Sequence, residues 1–272
     1  MDTNNPTNII YTPGATIQRN NEEFEKFGFR WRIGRSWGLA HPDHICYADG
    51  NVVQVFENEI RLGLEYKPKC FTTDQKTLMW GIGYVSSLQS FKYGTLKVDF
   101  ILPQGQHLWP AIWVYDCETW PPEIDIVEAW TNDVLKGKRC YRRVWKGIPI
   151  PFTNEIMPGL VMGNCAENKT GKSYRKLFRG TCSSLLNTDG GANTCVLDWQ
   201  PDEMIIMWNG HVIAREKDKE VLKWFNQSKG MQIHLNNYIT NQFNASDFTR
   251  IAGDETSCLR ILDVSHIPYS IG

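Results

Sequence analysis

Trp120-Pro121-Pro122-Glu123-Ile124-Asp125-Ile126-Val127-Glu128-Ala129-Trp130 is the stretch on which the reading of this chain turns. Isoleucines alternate with acids here, and successive side chains of a strand point to opposite faces, so Glu123 and Asp125 share one face of a strand. Glu128 stands five residues after Glu123, an odd offset that a regular strand turns toward the apolar side. One extra residue near Val127, a β-bulge, returns Glu128 to the face of the other two acids. Three carboxyl groups then occupy one surface between Trp120 and Trp130, while Ile124, Ile126 and Ala129 face a core. Like charges packed together repel, which predicts a raised pKa for at least one of them. A protonated carboxyl beside an ionised one is the pairing that cleavage of a glycosidic bond requires.

Outward from this strand, alternation with period two dominates. Ile60, Leu62 and Leu64 alternate with Arg61, Gly63 and Glu65, and Leu96, Val98, Phe100 and Leu102 alternate with Lys97, Asp99 and Ile101. Further strands are expected at Val52–Phe56, Gly81–Ser86, Leu108–Tyr115, Glu123–Trp130, Thr194–Trp199, Met231–Tyr238 and Leu259–Ile267. Asn209-Gly210 divides the apolar runs of Glu203–Glu216, and both residues tolerate the positive φ of a tight hairpin turn. Only Lys217–Asn226 reads as a helix. Many strands and almost no helix predict an all-β sandwich or barrel in one domain spanning 1–272, with 1–40 contributing N-terminal strands and loops.

Several blocks now fall into a known order. E-I-D-I-V-E resembles the E-x-D-x-x-E motif of glycoside hydrolase family 16, the laminarinase, agarase and carrageenase relatives. Phe91-Lys92-Tyr93-Gly94, Leu102-Pro103-Gln104-Gly105 and Leu108-Trp109-Pro110-Ala111-Ile112-Trp113 resemble that family's approach to its catalytic strand. Leu197-Asp198-Trp199-Gln200-Pro201 before the Asn209-Gly210 hairpin, and the closing run Leu259 to Val264, resemble its later blocks. The likeness covers about Tyr47 to Ile267.

The resemblance implies a β-jelly-roll of two curved antiparallel sheets with a concave substrate cleft. It implies a retaining endo-glycosidase in which Glu123 is the nucleophile, Glu128 the general acid and base, and Asp125 the residue that orients the nucleophile. Two glutamates acting with retention stand ~5–5.5 Å apart. Pro121-Pro122 replaces a Gly common in laminarinases, which points away from β-1,3-glucan. The histidine that relatives carry before the Leu197–Pro201 block is absent, the neighbourhood reading Ala192-Asn193-Thr194-Cys195. Asp263 aligns with a position that in relatives helps hold a structural calcium, the one cofactor the resemblance allows.

Aromatic residues supply the second signal. The chain has 11 Trp, 10 Tyr and 12 Phe. On the Leu108–Tyr115 strand, Trp109, Ala111, Trp113 and Tyr115 share a face opposite Pro110, Ile112 and Val114, so Trp109 and Trp113 are expected to line the cleft together with Trp120 and Trp130. Sugar C–H faces stack on indole rings there.

Charge is the third. Lys plus Arg number 29 and Asp plus Glu 30, a net charge of −1 that provides no field for nucleic acid or an anionic membrane. Between Lys136 and Arg179, however, eleven basic residues face only Glu155 and Glu167, a local net of +9. This arm is either a solvated loop face or a subsite for an anionic polymer, with Arg139, Arg142 and Arg143 as its sulfate- or carboxylate-matching forks. The arm favours a sulfated or neutral galactan such as carrageenan, porphyran or agar; β-1,3-glucan and a catalytically silent lectin-like module are the alternatives. A pure binder has no use for three crowded acids.

The partner is therefore a polysaccharide, with no nucleic acid, no membrane span and a monomeric chain expected. Eight cysteines occur without a C-x-x-C pair, and His41-x-x-His44-x-Cys46 lacks a fourth metal ligand. The first residues, MDTNNPTNIIYTPG, are polar and form no secretory signal. The expected location is secreted, periplasmic or cell-surface with the signal absent from this sequence, or a virion-associated depolymerase.

Overall fold

The computed structural model describes residues 21–35, 46–71, 76–104, 108–116, 118, 120–131, 141–145, 148–151, 154–162, 174–177, 185–239 and 255–270. The chain begins with β1 (Glu23–Lys26), β2 (Phe29–Ile33), β3 (Cys46–Ala48), β4 (Val53–Val55), β5 (Ile60–Leu62), β6 (Leu64–Phe71) and β7 (Lys76–Ile82). Then come β8 (Tyr84–Phe91), β9 (Gly94–Ile101), β10 (Leu108–Tyr115), β11 (Glu123–Thr131), β12 (Tyr141–Trp145), β13 (Ile148–Pro151), β14 (Asn154–Met162) and β15 (Tyr174–Leu177). The last part holds β16 (Ala192–Trp199), β17 (Met204–Trp208), β18 (His211–Glu216), the helix α1 (Lys219–Asn226), β19 (Met231–Ile239) and β20 (Leu259–Ile267).

Two large antiparallel sheets form the sandwich expected of a jelly roll. The eight-stranded sheet has the order β1-β2-β8-β19-β10-β11-β14-β15 and the seven-stranded sheet the order β18-β17-β16-β9-β20-β5-β4. One apolar cluster joins them. It takes Ile112, Val114, Ile124, Ile126, Ile233 and Leu235 from the first sheet and Leu96, Val98, Phe100, Leu197, Ile206 and Ile261 from the second. These are the period-two positions, and each large aliphatic side chain buried this way contributes about 1.5–3 kcal/mol of transfer free energy. A smaller three-stranded sheet, β3-β7-β6, includes one parallel pairing, β3 with β7, and β12 pairs with β13 in a separate ribbon.

Three expected boundaries move, each for a local reason. Gly81–Ser86 is not one strand, because Gly83 breaks it between β7 and β8: a Cβ at Gly83 would lie 2.6 Å from the Leu62 Cα, a backbone approach only glycine permits. Ile60–Leu64 divides at Gly63, whose N–H donates to the Val52 carbonyl at 2.8 Å. The helix begins at Lys219 rather than Lys217, since Asp218 is its N-cap and accepts from the Glu220 N–H at 2.9 Å. The hairpin is as expected, with Asn209 at φ 45° and Gly210 at φ 82° between β17 and β18.

Candidate active site

The acids lie on β11, the sixth strand of the eight-stranded sheet, on its face turned away from the core, called here the site face. Against β10 the register runs Tyr115 to Glu123, Val114 to Ile124 and Trp113 to Asp125, then skips a residue so that Ile112 meets Val127 and Ala111 meets Glu128. Against β14, Asp125 meets Gly159 and Glu128 meets Met157, three steps on one strand for two on the other. That is the expected bulge, at Ile126–Val127. It sends both residues into the core, 1% exposed each, and brings Glu128 onto the face of Asp125.

A bulge leaves backbone groups out of the ladder, and an unpaired buried carbonyl is costly. Here the seven-stranded sheet supplies a partner: the indole N–H of Trp208, fully buried on β17, donates to the Ile126 carbonyl at 3.0 Å. The irregularity that aims Glu128 is thus tied across the sandwich.

Two more indoles hold the acids themselves. Trp120 Nε1 donates to Glu123 Oε2 at 2.7 Å, and Trp109 Nε1 donates to Glu128 Oε1 at 3.1 Å. Asp125 and Glu128 are each 4% exposed, whereas Trp120 is 44% exposed. Trp113 donates instead to Asn236 Oδ1 at 2.7 Å, and its ring stacks on Tyr115 with centroids 5.3 Å apart. The backbone of Trp130 pairs with Glu155, two residues beyond Glu128 on the same strand.

Strand β19 contributes groups that the sequence pattern did not single out. Its core residues Ile233 and Leu235 alternate with Gln232, His234, Asn236 and Tyr238 on the site face. His234 lies in the row of Trp113 and Asp125, and Asn236 in the row of Ala111 and Glu128. The His234 ring is fully buried, 4.3 Å from Tyr115 and 4.8 Å from Trp113 by centroids, and its Nδ1 lies 2.9 Å from the Tyr84 hydroxyl. Burial drives the His234 pKa well below the usual histidine range, so the ring is neutral at neutral pH. Burial likewise raises Tyr84, with Tyr238 and Tyr115 adding to it, and raises Tyr238 against the opposing charge of Arg35, whose Nη1 donates to the Tyr238 hydroxyl at 3.3 Å. The signal for this network was the polar alternation in MQIHLNNYI.

The remaining expected site residues lie on other elements or outside the described residues. Arg142 and Arg143 lie on β12 in the two-stranded ribbon, and Arg139 lies outside the described residues. Asp263 lies on β20 of the seven-stranded sheet, opposite Asp99. Lys97 stands beside both acids: its hydrogen bond to Asp99, at 2.7 Å, holds its ammonium above the usual lysine range against partial burial, and the charge of Asp263 adds to that. Among the described residues no group of three or more His, Cys, Asp or Glu is placed to hold a metal, and no helix is long and apolar enough to cross a membrane.

With this geometry in hand, comparison with known structures is decisive for the fold. Porphyranase B from Zobellia galactanivorans superposes with a TM-score of 0.65 over 97% of both chains at 13% identity. A family 16 glycoside hydrolase from the Bacteroides ovatus mixed-linkage glucan locus superposes with a TM-score of 0.60 over 91% of this chain and 98% of that one at 18% identity. The chain has the glycoside hydrolase family 16 fold. In sequence it is 22% identical over 205 residues to the endo-1,3-1,4-beta-glycanase EglC of Rhizobium meliloti, a match that covers 74% of this chain and 35% of EglC. The chain therefore spans about a third of the length of that curated relative. No family model matches it.

Proposed function

We infer that this chain is a retaining endo-glycosidase that hydrolyses internal β-linkages of a polysaccharide. The observation that carries this reading is the bulged β11, which gathers Glu123, Asp125 and Glu128 on one face of a family 16 fold beside Trp109, Trp113 and Trp120. In this reading the Glu123 carboxylate attacks the anomeric carbon while the bond to the leaving sugar oxygen breaks and the Glu128 carboxyl protonates that oxygen. Glu128, now ionised, takes a proton from water, whose oxygen displaces Glu123 and restores the original configuration. Asp125, on the same strand face as both glutamates, orients Glu123. Trp109, Trp113 and Trp120 offer stacking surfaces for the sugar chain.

For the substrate, the basic arm from Lys136 to Arg179 and the resemblance in fold to a porphyranase favour a galactan, sulfated or neutral, with Arg139, Arg142 and Arg143 reading the sulfates of a charged one. The match to EglC favours a β-glucan as the second reading. No metal or organic cofactor is required by the two-glutamate chemistry, and an extracellular or virion-borne location suits a polymeric substrate.

The test is a panel of purified carrageenan, porphyran, agar, laminarin and mixed-linkage glucan, with product sizing and with Glu123→Gln alongside. Internal cleavage of one polymer, absent in the variant, is expected. Equal product release by both proteins, or none from any polymer, overturns the reading. If a sulfated polymer is cleaved, kcat/KM should fall steeply with salt, since exposed charges are screened over ~8 Å at physiological ionic strength. A salt-insensitive rate would remove the arm from substrate recognition.

A further inference from the structure

The two glutamates are both held by indoles, but from different supports. Trp109 is part of β10, whereas Trp120 precedes β11 in the connection from β10, only three residues from the glutamate it holds. That connection is anchored: Pro121 and Pro122 are buried, each with a φ fixed by its ring, and the Pro122 carbonyl accepts from the Asp116 N–H at 3.2 Å. Trp120 itself is 44% exposed and spends its one polar atom on Glu123 Oε2, at the short end of N–H to carboxylate distances.

We propose that Trp120 is a positioning residue for the nucleophile, its indole N–H fixing Glu123 Oε2 and stabilising the ionised carboxylate so that Oε1 makes the bond to the anomeric carbon. This rests on the retaining reading given above and adds to it a residue acting on the attacking group. An N–H that donates to a carboxylate favours the charged form, which is the form that attacks. Indole is suited to this because it donates without carrying charge, and its ring remains available to the sugar. A cation at the same place would stabilise Glu123 more in the free enzyme and would oppose its neutralisation on forming the ester.

The experiment isolates Glu123 from Glu128. A 2-deoxy-2-fluoro glycoside with a dinitrophenolate leaving group, built on the sugar that the polysaccharide panel identifies, forms the Glu123–C1 bond as dinitrophenolate departs and needs no protonation by Glu128. Its rate of trapping, followed across pH and by mass spectrometry of the labelled peptide, reports the ionisation of Glu123. In Trp120→Phe, which keeps a ring and loses the donor, the acid limb of this profile should move up by about one pH unit, slowing trapping roughly ten-fold on the acid side, with little change in the apparent affinity for the inactivator. Trp120→Ala should show the same shift together with weaker affinity. If Trp120 only stacks on sugar, both variants keep the wild-type limb and Trp120→Ala alone loses affinity, which overturns the proposal. Failure to label Glu123 in the wild-type protein would instead overturn the retaining reading itself, so the two failures are distinguishable.

Discussion

Two groups of acids in this molecule are satisfied in different ways. Three carboxylates on or just before strands of the seven-stranded sheet meet cations: Glu59, before β5, accepts from Arg61 Nε at 2.5 Å and Arg260 Nε at 2.6 Å, Asp99 on β9 meets Lys97, and Glu203, before β17, meets Arg215 and Lys217. On the site face of the eight-stranded sheet, Glu123 and Glu128 take neutral indole donors. A cation fixes a carboxylate in its charged form, as the lowered pKa of Glu203 illustrates: local desolvation pushes it up, and hydrogen bonds from Lys217 and Arg215 more than reverse this. A neutral donor orients the group without placing a charge beside it. Ion pairing holds Glu59, Asp99 and Glu203, whereas orientation by a neutral donor suits the chemistry proposed for Glu123 and Glu128.

The sharpest way to break this comparison is to neutralise one acid from each class. On the proposed reading, in which Glu128 is the general acid, Glu128→Gln should lower kcat/KM on a polymeric substrate by about 10²–10⁴-fold while leaving Tm nearly unchanged, because the Trp109 N–H keeps an oxygen acceptor. A substrate with a good leaving group should suffer least in its glycosylation step. Glu59→Gln should do the reverse. Its carboxylate is 8% exposed and pairs with Arg61, 12% exposed, so removing the charge of this buried pair should cost about 3 kcal/mol of stability with full activity per folded molecule. Urea unfolding and steady-state rates on both variants check this. A Glu59 variant that loses activity without losing stability would erase the distinction between the two groups.

How much of this was legible in sequence depends on whether one segment carried the signal. The bulge was legible because Glu123, Asp125 and Glu128 lie within six residues and an odd offset conflicts with period two. The Asn209-Gly210 turn was legible because its φ requirement is local. The break at Gly83 was not, since its cause is the backbone of Leu62, and no residue near Gly83 announces that approach. The Tyr84–His234 contact joins residues 150 apart, so only the fold brings them together. Trp208 lies in an apolar run that gives no hint of a second task, yet its single polar atom donates to β11 of the other sheet.

That bond between sheets yields the middle prediction. Trp208→Phe keeps most of the packed volume and leaves the Ile126 carbonyl buried without its donor, a loss of about 1–3 kcal/mol in stability. If the bulge is aimed by this bond, kcat should also fall several-fold at temperatures where the variant is fully folded, with KM little changed, because the orientation of Glu128 is disturbed and the stacking surfaces are not. Trp199→Phe is the control, a fully buried tryptophan of the same sheet that packs on Phe91 and Tyr93. It should cost stability and spare kcat. Matching kinetic losses in both would mean that Trp208 acts through packing alone.

The smallest effect concerns His234, the titratable group most deeply enclosed on the site face. Its folded pKa lies well below 6.5 because burial disfavours the charged ring. In the unfolded chain it titrates at about 6.5, so on acidification the unfolded state binds the proton first. The sign follows: stability is fully present above pH ~6.5 and is lost as the pH falls toward the folded pKa, at a slope approaching 1.4 kcal/mol per pH unit. Between pH 7 and pH 6 this amounts to about 0.7 kcal/mol, less than either change above. Replacing the ring removes the term. His234→Phe preserves the stack with Trp113 and Tyr115 and loses the contact with Tyr84, whereas His234→Gln keeps a polar partner and loses the stack. Both variants should be less stable than wild type at pH 7.5, yet both should lose less stability than wild type between pH 7 and pH 6. Parallel stability curves for all three proteins would show that His234 takes up its proton inside the fold, and the neutral, indole-lined character assigned to the site face would have to be given up.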